Sequence, residues 1–234
     1  MEIDNSRIEY AAQHTEILRH PKQNLSTFGV TNVYYYLVTE PAYADLVNDI
    51  HETVIREGRV IAERPKIVTP YYLSRLEGFS YDARRYFETL LKTQGANTPG
   101  LFYTYKNEPA ELNIVSDNWP VVVDRLNGEI DKKGDPLVSI IKGQDDLWDV
   151  SLLKFIYEIT KSSLKDNISQ LGSRGLLNTD AAGIPVGAKI RLEELFGQVA
   201  RGECHAYELE RELDRWGVFE DYQDRFFSIV KGRR

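Results

Sequence analysis

The chain has 234 residues, of which 42% are hydrophobic and 28% charged, the balance of an ordinary globular protein with a sizeable core. No run of about eighteen apolar residues occurs, so no membrane span is expected, and the single cysteine, Cys204, rules out an internal disulfide framework. The net charge of −7 argues against a general phosphate-backbone binder; nucleic acid is expected only through a local basic patch such as Arg56, Arg59, Arg64 and Lys66, which Glu57 and Glu63 interrupt.

The acidic, polar start Met1–Asn5 does not resemble a secretory signal, and a cytoplasmic protein is expected. Residues 5–20 predict a helix with Ile8, Ala11, Ala12, Thr15 and Leu18 on one face, stopped by Pro21. The run 32–39, bulky and β-branched on both faces, reads as a strand covered on both sides. Pro41 ends it, and 42–51 suits a short helix. Residues 53–62 read as two short strands around a Glu57-Gly58 turn, and 66–69 as a further extended piece between prolines. Ser80 and Gly95 bracket a helix over 80–93.

A strand pair is expected at 101–105 and 112–115 across a turn at 106–109. Pro120 suits the first turn of a helix over 119–131, and 137–141 is the last strand. The longest helix is expected over 147–171. Residues 172–187, rich in glycine and polar residues, form the best linker. Three amphipathic helices then follow. Ala188, Leu192, Leu195, Phe196 and Val199 mark the first stripe, closed by Gly202. Ala206, Leu209, Leu213 and Trp216 mark the second, and Phe219, Tyr222, Phe226 and Ile229 the third, after Gly217.

Candidate chemistry is sparse. Asp145-Asp146-Leu147-Trp148-Asp149 matches the spelling of a Mg²⁺-binding Asp-Asp-x-x-Asp motif. It stands at the start of a helix after a strand, where aspartates also serve the helix dipole and caps. Asp145, Asp146 and Asp149 are therefore weak metal candidates, and no cofactor is expected apart from the weak alternative of Mg²⁺. Ser151-x-x-Lys154 and Ser116-Asp117-Asn118 share letters with penicillin-recognising serine enzymes, but in reverse order and without Lys-Thr-Gly. Cys204 and His205 are chain neighbours, which on a helix diverge by about 100°. The common nucleotide-binding glycine patterns are missing. Fourteen tyrosines cluster at 34–36, 71–72 and 103/105, a residue type suited to cores and to interfaces alike.

These features predict an α+β fold: a mixed, mainly antiparallel sheet over roughly 25–145, packed by helices, followed by an α-helical C-terminal part. The expected division is a sheet domain over 1–146 and a helical part over 147–234. The expected function is a non-enzymatic interaction or assembly protein, a subunit of a cytosolic complex or a self-associating oligomer. Trp216, Phe219, Tyr222 and Phe226 are the candidate interface residues. The alternative is a Mg²⁺-dependent enzyme acting on a phosphorylated or nucleotide substrate through the acidic cluster.

Overall fold

A computed structural model describes residues 5–43, 51–75 and 98–232. The helix expected at 80–93, and most of that expected at 42–51, lie outside the described residues. The fold is α+β. A five-stranded sheet is built from β1 (Glu16–Arg19), β2 (Thr31–Thr39), β3 (Thr53–Ala62), β6 (Tyr105–Val115) and β7 (Val138–Lys142), in the order β1-β7-β2-β3-β6. Only the β2–β7 pairing is parallel. A separate two-stranded ribbon joins β4 (Lys66–Val68) to β5 (Gly100–Phe102). The described helices are α1 (Asn5–Gln13), α2 (Pro70–Ser74), α3 (Trp119–Lys133), α4 (Trp148–Ser173), α5 (Val186–Arg201), α6 (Ala206–Trp216) and α7 (Phe219–Lys231).

The chain divides into two compact units: residues 1–64 with 103–167, and 65–102 with 168–234. In the first unit the strand alternation sends side chains to two different cores. Val33, Tyr35 and Leu37 of β2, with Val60 and Ile141, pack under Leu152, Phe155 and Ile159 of α4. Val38, Ile55 and Ile140 point the other way and pack under Val122, Val123, Leu126 and Ile130 of α3. Asn118 caps α3 by accepting from the Val121 N–H, and Pro120 fills its first turn.

Three local expectations are corrected. The helix expected over 5–20 ends at Gln13, and residues 16–19 are a strand. Ile17 and Leu18 serve opposite faces of the sheet, a period-two arrangement that pairing with β7 imposes over local helix propensity. The end of α1 is held by Lys154, whose Nζ donates to the carbonyls of Ala12 and Thr15 at 2.8 and 2.9 Å. Residues 53–62 form one continuous strand, with no turn at Glu57-Gly58. Gly58 stands where the Tyr35 phenol approaches β3 to donate to Asn107 Oδ1; a Cβ there would lie 2.5 Å from the phenol oxygen and 2.8 Å from the Glu108 carbonyl. Likewise 105–115 is one strand, without a turn at 106–109. Pro109 is tolerated because β6 is the sheet edge, and a register shift opposite Arg56–Gly58 absorbs an extra residue.

Strand β2 is also only partly covered on both faces. The α4 side is closed, but on the α3 side cover stops short of Tyr34, which is 42% exposed.

The second unit is a helical core. Leu192, Phe196 and Val199 of α5, Leu209, Leu213 and Trp216 of α6, and Phe226 of α7 surround Val68 and Tyr72. Gly202 and Gly217 end α5 and α6 in the left-handed conformation, which lets the chain turn sharply between helices. The segment 174–185 is tied down by its own bonds. Asp180 Oδ1 accepts from the N–H groups of Ala182 and Ile184, Asp180 pairs with Lys189, and the Val186 N–H donates to Asn178. One buried polar group joins α2 to α6: the Tyr72 hydroxyl contacts both Glu212 carboxylate oxygens at 3.1 Å, with Arg215 alongside. Burial and the Glu212 charge push the Tyr72 phenol up to about 12, so it remains a donor to Glu212 at physiological pH.

Leu213 is fully enclosed, so Leu213→Ala is expected to cost about 2–5 kcal/mol by lost burial and a residual cavity. Urea unfolding checks it: an unchanged midpoint would contradict the packing.

Candidate functional site

The uncovered part of the sheet forms a cleft of about 650 Å³ in the first unit. Its floor comes from β2 and β3. Tyr34 and Tyr36 share a strand face, and their cross-strand partners are Arg59 and Glu57. One wall is Glu108, Pro109 and Ala110 of the edge strand β6; the other is Ile130 and Lys133 at the end of α3, with Asp135 and Val138 beyond.

The charges in this cleft are unequally satisfied. Arg59 is clamped by Glu108 at 2.6–2.8 Å and by the Tyr34 hydroxyl, and Glu108 also binds Lys106 at 2.7 Å. Bonds from Lys106 and Arg59 hold the Glu108 carboxyl below its ordinary range. Asp135 accepts from the Leu137 N–H. The Glu57 carboxylate, by contrast, makes no hydrogen bond or ion pair among the described residues. Partial burial, reinforced by Glu111 and Glu129 and opposed by Lys133, pushes its carboxyl above the ordinary value. Burial, Glu57 and Glu129 likewise raise the Tyr36 phenol.

The other tyrosine clusters are structural. The hydroxyls of Tyr103 and Tyr105 bond Asn167 and Thr160, and Tyr72 lies in the helical core while Tyr71 lies under Arg75. Only the first cluster opens onto this cleft.

The three aspartates are not gathered. Asp145 turns into the first unit, where its carboxylate meets Arg56 at 2.7 Å, Thr39 at 2.8 Å and the Ala42 N–H at 3.1 Å. Asp146 pairs with Arg7, and Asp149 accepts from the N–H of Val150 in the first turn of α4. Helix-start duty thus belongs to Asp149, while Asp145 and Asp146 precede α4 and hold side chains from elsewhere. No group of three or more His, Cys, Asp or Glu suited to a metal occurs among the described residues.

The serine motifs are structural as well. Ser151 is buried and accepts from Thr15, Lys154 binds the carbonyls of Ala12 and Thr15, and Asp117 pairs with Arg125. The Cys204 thiol faces Glu208; burial and that carboxylate raise its pKa, which disfavours the thiolate a nucleophile requires. In the basic cluster, Arg56 and Arg59 are both bound to carboxylates.

Of the aromatic residues expected at an interface, Trp216 and Phe226 lie in the helical core of the second unit, while Phe219 and Tyr222 are partly buried and pack against it. Trp216 and Phe226 are 5% and 6% exposed. Phe219 stacks edge-on against Phe226 at 5.5 Å, and Tyr222 lies 5.6 Å from Phe196. Glu57 was not legible as a site residue. The one signal for it was its place opposite a period-two tyrosine pair, which requires the strand register. No helix among the described residues is long and apolar enough to cross a membrane. No protein-family model, no curated protein and no solved structure matches the chain.

Two outcomes follow from these charges. Burial acts to raise the Asp145 carboxyl, but bonds from Thr39, Arg56 and Ala42 outweigh it and lower the pKa below its ordinary 3.8. The stabilisation is present above that value and lost as pH falls through the folded-state pKa. Asp145→Asn is expected to cost about 2 kcal/mol, between an exposed and a buried pair, and to weaken the loss of stability in acid; urea midpoints across acid pH measure both. Glu57 has the opposite sign: its folded pKa is raised, so its charge opposes folding at neutral pH and the penalty is relieved as pH falls through that pKa. Glu57→Gln should therefore melt at or above the wild-type temperature at neutral pH. A clear drop would show that Glu57 has a stabilising partner.

Proposed function

We propose that the protein is a non-enzymatic interaction protein of the cytoplasm that binds an extended segment of a partner protein along β6 and across the adjoining tyrosine cleft. One observation carries this reading: among the described residues β6 is an eleven-residue edge strand with Leu112 and Ile114 58% and 54% exposed on a common face. An edge of this kind offers unpaired N–H and C=O groups to a further strand, and side chains on alternate positions select the partner. Leu112 stands opposite Arg56, whose guanidinium lies over Trp148 of α4, so the two apolar residues share the α4 face of the sheet. Leu153 and Tyr157 of that helix, 64% and 65% exposed, sit two turns and one turn before Thr160, which bonds Tyr105 of β6. They extend the apolar surface along the flank of α4 that faces the edge. Binding by strand addition needs no cofactor.

Selection of a displayed random-peptide library on the full chain tests this. Enriched peptides should compete with one another for a single site, and should lose about tenfold or more in affinity on Leu112→Asp or Ile114→Asp, as expected for removing a central apolar anchor. The control Asp149→Asn should bind them unchanged. Failure to enrich any competing set, or binding indifferent to both β6 variants, would refute the reading.

A further inference from the structure

The cleft beside β6 carries a chemical preference that the edge strand alone does not. Tyr34 and Tyr36 stand on one face of β2, two positions apart, about 7 Å along the strand. That spacing leaves room between two ring walls. Glu57 lies across the strand pair from Tyr36 and has no ion-pair partner among the described residues. Arg59, two residues further along the same face of β3, is already committed to Glu108 and Tyr34. Glu111 and Glu129 add negative charge around Glu57, and Lys133, exposed in the last turn of α3, is the single opposing charge acting on it.

Three classes of group can be compared at this position. An anion would face Glu57, Glu111 and Glu129. A neutral group would take water from a carboxylate that no protein group bonds, which costs free energy. A cation gains from the carboxylate and from the negative faces of the two phenol rings together. The cleft is bounded by Glu108, Pro109 and Ala110 of the edge strand, so a residue of a segment paired with β6 overhangs it, and a long side chain is needed to reach the floor.

We infer that the Tyr34–Tyr36–Glu57 cleft is a subsite for a lysine side chain of the partner segment, the ammonium lying between the two phenol rings against the Glu57 carboxylate. This rests on the reading of β6 as a docking edge and adds to it the charge of the residue that is recognised. Arg59 and Glu108 serve as a fixed wall, their charges spent on each other.

The test uses the full chain and three acetylated, amidated pentapeptides, with threonine at the ends, valine at the second and fourth positions, and lysine, norleucine or glutamate at the centre. Binding is followed by the ring resonances of tyrosine. The lysine peptide should bind about tenfold or more tightly than the norleucine peptide, the factor that a partly desolvated cation–π and ion-pair contact provides. Added salt should weaken the lysine peptide alone. Glu57→Gln should reduce the lysine-to-norleucine ratio several-fold, by weakening the lysine peptide and not the norleucine peptide, which no longer has to desolvate a carboxylate. Tyr36→Leu, which keeps the carboxylate and removes one ring, should reduce the ratio several-fold.

Equal binding of lysine and norleucine peptides, or a ratio that survives Glu57→Gln, overturns the lysine subsite. If those peptides still lose affinity on Ile114→Asp, the docking edge stands without it. Binding of n-butylammonium but of no peptide would make the cleft a small-cation site and overturn the partner-segment inference. If none of the probes binds, the inference falls, and the library selection then decides separately whether the edge reading falls with it.

Discussion

The pairing of Asp145 with Arg56 determines which parts of the first unit are closed and which stay open. Both side chains are sheltered, 18% and 16% exposed, and separating charges in such a place is costly. Asp145 comes from the connection leading to α4, Arg56 from the middle of β3, and Thr39, which donates to the same carboxylate, from the end of β2. Once these three are joined, α4 begins over Arg56, with Trp148 against its guanidinium, and can only run across that face of the sheet. The opposite face is left to α3. That helix packs over Val38, Ile55 and Ile140, and its fifteen residues do not reach over Tyr34 and Arg59. The open tyrosine floor is therefore the remainder of a packing problem solved elsewhere in the unit.

Much of this architecture is written in local sequence. The stripes of α5, α6 and α7 survive into the structure because each is amphipathic along its length, and α5 and α6 are each ended by a glycine in the left-handed conformation. Pro120 and Asn118 mark the start of α3 for similarly local reasons. What fails to show depends on contacts remote in the chain. Residues 16–19 become a strand only because β7, more than a hundred residues later, pairs with them. Gly58 looks like a turn residue until Tyr35 from the neighbouring strand is found passing over it. Pro109 looks like a turn until β6 is known to be an edge.

The candidate site divides along the same line. A concentration of tyrosines at 34–36 is visible in the sequence, but so are two other clusters that turn out to be core and helix contacts. Only the register of β2 against β3 puts Glu57 beside Tyr36, and only the ion pair with Glu108 removes Arg59 as its natural counterion. In sequence order Glu57 merely interrupts a run of arginines. The aspartate triplet shows the reverse. It is conspicuous as a string of letters, yet its three side chains answer to Arg56, Arg7 and the start of a helix, because successive residues leaving a strand for a helix point in unrelated directions.

The second unit is assembled from two stretches of chain, 65–102 and 168–234, with the remainder of the first unit between them. Val68 and Tyr72 from the early stretch are buried against Leu192, Leu209 and Trp216 from the late one. On the ribosome, then, the early stretch emerges well before any of the surface that will shelter it. Tyr72 and Leu192 are 120 residues apart, so at a synthesis rate of about 5–20 residues per second the interval is on the order of 6–24 s, long against the microseconds in which hairpins and helices form. During that interval Val68 and Tyr72 stand without their native cover while β6 and β7, which complete the sheet of the first unit, are still being made. The nascent chain thus carries a half-built hydrophobic surface through much of its own translation, and a chaperone that recognises short apolar segments would meet it there rather than at the finished protein.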